Sequence, residues 1–494
     1  MSITIWPSLA EAVKHTPATT RAPMPWDPMS LLMSRFGFGI EAKTRAELIA
    51  YGYDTWWQRQ LSFGLGQYAG WVGRPDVLAN SPLVSKTPKD VRAWLLANGN
   101  QYGWEMMDQL TNLTMGLQCW SPAQVYESVV DFFANHLNVA NHNENVWTTR
   151  HLMDRDVIRK HALGSFTDML LASAKNPAML QYLNLAQSTK SAVNENYGRE
   201  LLELHTVGLG AHYTEADVKN SAKILTGRTL DADFNYLYNA NKHWIGPVKI
   251  LGFSHPNGTA AGGEVAADEY LKYLASHPST ANNLAQKLCV RFVSDNPSPS
   301  LVAAVAAAYL KNGTRIIPML NTIVRSSEFW ASRGAKVRRP WENIVATVRT
   351  LGVQPGDLTK SMPILRWMAV TVGQVPLDWS APNGYPDVAA AWRSSGSLLN
   401  LWAYHRGLAQ SWWPDAFGTV NMKAFYGGTP ATSGAAVIAL CGRLTGMRLP
   451  ASHLAALQTF LGEPASTPFA KSSLQWYLGD LISLILDSPQ HALR

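Results

Sequence analysis

Apolar residues recur at helical spacing along nearly all of this 494-residue chain, and that periodicity constrains the fold more than any single motif. It predicts two helices within 27–63, parted by the glycine-bearing turn FGFGI, then helices over 89–118, 122–137, 145–162, 164–175 and 177–183. Further helices are expected at 195–207, 214–226, 264–276, 279–293, 299–312, 315–327, 341–351 and 360–371, and again through 388–490. The pattern changes only within 231–256. There FNYLYN alternates aromatic and polar residues and VKILG is short and β-branched, which predicts a small β-hairpin insertion. No repeat of fixed period is present, and no polar linker marks a boundary. The expected fold is mainly α. A lead-in over 1–27 precedes a large multi-helix domain over 28–410, and a C-terminal helical extension follows over 411–494.

Composition narrows the class. With 47% hydrophobic and 16% charged residues, and 19 tryptophans, the chain belongs with packed globular proteins rather than disordered ones. The net charge of +7 is spread along the sequence, with one cluster at Arg333, Lys336, Arg338 and Arg339. No nucleic-acid motif accompanies that cluster, so it reads as a solvated helix entry and no nucleic-acid partner is expected. Cys119, Cys289 and Cys441 are few, distant and odd in number, which speaks against a disulfide framework and a thiolate metal site. The first 25 residues lack a basic start followed by an apolar run, and no window approaches 18 uninterrupted apolar residues. The expectation is a cytoplasmic protein without a membrane span.

Chemistry concentrates in NENYGRELLELHT, residues 194–206, which holds three glutamates and one arginine. On a regular helix Glu195, Asn196, Arg199, Glu200, Glu203 and Thr206 fall within a sector of roughly 140°. Glu195 and Arg199 stand at i and i+4, a favourable pair. Glu200 and Glu203 stand at i and i+3 with no cation between them in sequence. A solvated polar face would explain such a helix, but it carries no lysine, and its successor HTVGLGAHYTEADV adds His205, His212, Tyr213 and Asp217. Thr214 and Asp217 have the spacing of a capping box, which gives Asp217 a purely structural role. Upstream, DFFANHLNVANHNEN places Asp131 and Asn135 on one helix face, His136 at that helix's end and His142 in the following loop. Such a histidine is often no more than a helix-end or core residue. The HExxH, GxSxG, P-loop and dinucleotide-binding patterns are missing, as are the paired Glu-x-x-His motifs of a di-iron bundle.

Several of these segments, taken in order, resemble a known family. They are RFGFG, DFFANHLNV, IRKHALGSFTDMLLASAKNPAMLQYL, NENYGRELLELHTVGLGAHYTEADVKNSAKILTG, HPSTANNLAQKLCVRFV and GQVPLDWSAPNGYPDVAAAW. Together they are similar to the bacterial family called domain of unknown function 1800, over roughly residues 28–410. The resemblance maps the family's motif onto Asn135, His136, Asn194, Glu195, Asn196, Arg199, Glu200, Glu203, Thr206, Tyr213, Thr214, Asp217, Thr226 and Gly227. It implies exported proteins, often encoded beside a sulfatase- or phosphatase-like partner. This chain departs by showing no signal, so it either stays inside the cell or leaves with a partner that carries one.

Two functional expectations follow. One is an enzyme with a buried carboxylate/histidine site built from His136, Glu195, Arg199, Glu200, Glu203 and Tyr213, with His142 as a further candidate. Carboxylates with an imidazole suit general acid/base work or a divalent metal held by His136, Glu200 and Glu203, and Arg199 suits an anionic group. Hydrolysis and oxidoreduction both fit, on an apolar or anionic small substrate. The other expectation is a helical scaffold or partner-binding protein in which the same residues form a structural polar network.

Overall fold

The computed structural model describes residues 27–63, 73–99, 102–447 and 449–494, so the lead-in over 1–26 lies outside the described residues. The fold is mainly α, with 63% of the structure helical. Among the described residues, the β-strands form two small antiparallel hairpins where one was expected. β1 (Arg228–Leu230) pairs with β2 (Tyr236–Tyr238), and β3 (Val248–Ile250) pairs with β4 (Phe253–His255).

Helix boundaries follow local chemistry. Asp27 caps Pro28–Arg35 by accepting from the Met29 amide, with proline in the first turn. The expected 89–118 helix is two helices, Pro88–Ala97 and Trp104–Trp120, the second entered through Gly103 in the left-handed region. A side chain on Gly103 would collide with the Trp147 ring.

Apolar side chains gather into two cores. The first joins the helices between Pro28 and Ser62 to those between Gln124 and Ala331, through fully buried residues such as Trp57, Phe133, Tyr197, Leu284 and Trp330. The second joins Trp104–Trp120 to Pro340–Leu351, Ser395–Ala409, Ser433–Thr445 and Leu474–Leu486. Every residue of Pro340–Leu351 is buried, which makes that helix the axis of the second core. Leu408, before position 410, and Leu440, Leu481 and Ile485, after it, all belong to this core.

A buried charge network ties the cores together and corrects the reading of the basic cluster. Lys336, Arg338 and Arg339 are buried rather than solvated. Glu342 accepts from Arg291, Arg339 and Arg494, while Asp131 accepts from Arg291 and Arg339. Burial alone would raise the Glu342 carboxyl; the three arginines outweigh it and hold that carboxyl well below the usual glutamate range. Lys336 bonds Asp295 at 2.7 Å and the Asp387 carbonyl at 2.6 Å. Among the described residues, no helix is long and apolar enough to cross a membrane.

Candidate functional site

The segment NENYGRELLELHT does not form one regular helix. Asn196–Glu200 is α-helical, and Leu201–His205 widens into a π turn with i→i+5 pairing. The Thr206 hydroxyl fastens that turn by donating to the Leu201 carbonyl, 2.6 Å away. The chain then reverses at Gly208, whose amide returns to the Leu202 carbonyl at 2.9 Å. Thr206 is therefore buried, where regular periodicity placed it on the polar face. Gly198 lets the Glu215–Leu225 helix approach, because a Cβ there would lie 2.7 Å from the Ala222 amide nitrogen.

The outward face collects the carboxylates around one cation. Arg199 donates to both oxygens of Glu215, at 2.9 and 2.8 Å, and pairs with Glu195 at 3.6 Å and Glu203 at 3.5 Å. The side chains of Arg199, Glu195 and Glu203 are 34%, 38% and 21% exposed, so the face is half-open to solvent rather than buried as expected. The capping box is present: Thr214 and Asp217 exchange side-chain and backbone bonds, and Asp217 also accepts from the Leu251 amide at 3.0 Å.

Glu200 stands apart from this network. Its side chain makes no hydrogen bond or ion pair with any described residue, and burial followed by the Glu203 charge raises its carboxyl pKa against the pull of Arg199. Tyr213 borders Glu203. Partial burial, and then bonding to the Glu203 carboxylate, push its phenol up to about 12. Glu200 also acts on the Tyr182 phenol, whose hydroxyl donates to the Ser380 carbonyl at 2.6 Å. Through Tyr182 the carboxylate face adjoins the loop 375–387.

That loop is clipped down by residues of DFFANHLNVANHNEN. Asn135 donates to the Tyr385 carbonyl at 2.8 Å and accepts from the Tyr385 amide at 2.6 Å, mimicking a peptide group. Asn138 donates to the carbonyls of Trp379 and Ala381 at 2.8 and 2.7 Å. His142 meets Asp378 at 2.6 Å through Nδ1 and Arg366 at 3.2 Å through Nε2. Both of its ring nitrogens are engaged there, away from the glutamates.

His136 is not brought to the carboxylates either. Its Nε2–H donates to the His205 carbonyl at 3.0 Å, and its Nδ1 faces the Lys287 ammonium at 3.2 Å. Burial first, then Lys287, hold its pKa well below the usual imidazole value. Lys287 and Asn283, one turn apart on the Pro278–Phe292 helix, complete the arrangement. Lys287 donates to the Leu204 carbonyl at 3.1 Å and Asn283 to the Thr206 carbonyl at 2.7 Å. Three successive carbonyls at the end of the π turn are thus capped by three side chains. Desolvation pushes the Lys287 pKa down to about 8. Residue-by-residue reading missed this lysine, although it lies four residues after Asn283 in the segment HPSTANNLAQKLCVRFV.

The expected metal set is corrected accordingly. Among the described residues no group of three or more His, Cys, Asp or Glu is arranged to hold a metal ion. His136, Glu200 and Glu203 share no coordination sphere, because the imidazole turns inward to a carbonyl and an ammonium while the carboxylates face out. Among the described residues, sizeable clefts lie elsewhere, on the C-terminal helices. One of 690 Å³ between Val437 and Ala465 is lined by none of the candidate residues.

Fold and site together define a mainly helical protein carrying a half-open carboxylate face beside a clipped loop. The chain belongs to the family described as protein of unknown function (DUF1800), whose family model matches residues 31–493 and so continues through the C-terminal helices. No curated protein and no solved structure matches the chain.

Proposed function

We propose that the Glu200–Glu203 face is the working centre of an acid/base enzyme, most simply a hydrolase. The observation that supports this reading is the unlike environment of two carboxylates one turn apart. Glu203 is paired with Arg199, whereas the Glu200 side chain has no bonding partner among the described residues and its pKa is raised. Carboxyl groups set apart in this way can divide the roles of proton donor and proton acceptor. In this proposal Glu200 delivers a proton to a leaving group, Glu203 activates water, and Arg199 with Tyr213 fixes Glu203. The loop 375–387 and Tyr182 form the neighbouring wall. The family resemblance supports the further proposal of a sulfatase- or phosphatase-like partner, with the protein acting in the cytoplasm or leaving the cell alongside that partner.

The test is turnover of chromogenic ester, phosphate, sulfate and glycoside substrates by the wild type, Glu200→Gln and Glu203→Gln. The proposal expects an activity that both substitutions reduce by roughly 10²-fold or more while melting stays unchanged. An activity equal in all three proteins would contradict it.

The scaffold reading has its own observation. The caps from His136, Asn283 and Lys287 satisfy backbone groups and require no chemistry. We therefore assign those three residues to holding the π turn.

A further inference from the structure

The inward face of the same segment carries polar groups that the proposed reaction does not use. Tyr197 and His205 are both wholly buried, with ring centroids 6.4 Å apart in an edge-to-face arrangement. In a regular α-helix, residues eight apart point in different directions. The wider π turn rotates the chain less per residue and brings His205 back over Tyr197. Yet Tyr197 Oη, His205 Nδ1 and His205 Nε2 meet no hydrogen-bond partner among the described residues.

Two further unpartnered buried atoms belong to Arg228 and Ser173. Arg228, wholly buried, acts electrostatically on the Tyr197 phenol and leaves its Nε without a partner. Its other nitrogens reach the Ala174 carbonyl at 3.1 Å and Asp268 at 2.6 Å. Ser173, next to Ala174, has a buried hydroxyl that is likewise unbonded. Buried polar groups without partners are costly, so such a concentration requires a guest.

The chemistry of the lining selects that guest. Burial first, and then the nearby Lys287 ammonium, push the His205 imidazole down to about 3, so it is neutral and presents one donor and one acceptor. A cation cannot accept the imidazole N–H, and an anion cannot donate to the bare ring nitrogen. Arg228 is already neutralised by Asp268. A small neutral hydroxylic molecule, which can both donate and accept, suits the phenol and the imidazole.

We infer that Tyr197 Oη and His205 share an internal hydration site, in which at least one ordered water bridges the phenol and the imidazole. A buried water of this kind makes about three hydrogen bonds and is held as part of the fold. Its place between the first turn of the segment and its last makes it a brace for the π turn, beneath the carboxylate face.

The test is a crystal structure of the wild type at a resolution that shows ordered water, followed by one of Tyr197→Phe. The inference expects a water within hydrogen-bonding distance of Tyr197 Oη and one His205 ring nitrogen. It also expects that water to be lost or displaced in Tyr197→Phe. A direct Tyr197–His205 hydrogen bond, or a space without density in the wild type, would overturn it. So would a water unmoved by Tyr197→Phe. If the variant does not fold, the wild-type structure decides alone.

Discussion

Arg199 grips Glu215 with both terminal nitrogens, and so ties the first turn of one family segment to the first turn of the next helix. The same terminal nitrogens also reach Glu195 at 3.6 Å and Glu203 at 3.5 Å, whereas Glu200 forms no ion pair with them and feels their charge only from further off. The asymmetry between the two carboxylates starts here.

Arg199→Gln should therefore separate stability from electrostatics. Its partners are partly to largely exposed and solvent screens such pairs, so the cost to folding should be small. Arg199 also lowers the Glu200 pKa, so its loss should raise that pKa further. Thermal melts with a carboxyl titration by NMR check both outcomes.

Lys287 predicts a pH dependence of the opposite kind from most lysines. Burial lowers its pKa to about 8 in the folded protein, against roughly 10.4 in an unfolded chain. Between those values the unfolded state holds more protons, so stability should rise with pH across that window. Denaturant midpoints at either end, compared between wild type and Lys287→Met, should show the wild type gaining on the variant as pH increases.

Glu342 sets the acid limit. Its carboxyl lies well below its unfolded value, so its contribution is fully present above roughly pH 4.3 and is lost as pH falls toward the folded pKa. Glu342→Gln removes the carboxylate shared by Arg291, Arg339 and Arg494 and leaves only Asp131 and Asp387 to balance them in the interior. It should destabilise the fold by roughly 3–5 kcal/mol at neutral pH and flatten the acid limb of the stability curve. Urea unfolding across pH measures both.

The helices were legible because each buries one stripe, and a stripe shows as periodicity. Residues 264–276 and 279–293 lie within a residue or two of the observed Gly263–Ala275 and Pro278–Phe292. The carboxylate face was legible for the same reason. The π turn was not, because its i→i+5 bonds are held by Thr206 and by caps from His136, Asn283 and Lys287, distant in sequence. The cluster at Lys336, Arg338 and Arg339 looked solvated because Asp131, Asp295 and Asp387, which help neutralise it, lie many residues away. His136 misled by position. It lies near the end of the glutamate segment but serves the carbonyl of His205.

The claim that matters most is that burial and the Glu203 charge raise the Glu200 carboxyl. Site-specific ¹³C titration of both carboxyls in the wild type and in Glu203→Gln tests it directly. The account predicts that Glu200 titrates above the ordinary glutamate range in the wild type and moves down in Glu203→Gln, with melting unchanged, because the like charge beside it is gone. A Glu200 that titrates as an ordinary surface glutamate in both proteins would contradict it.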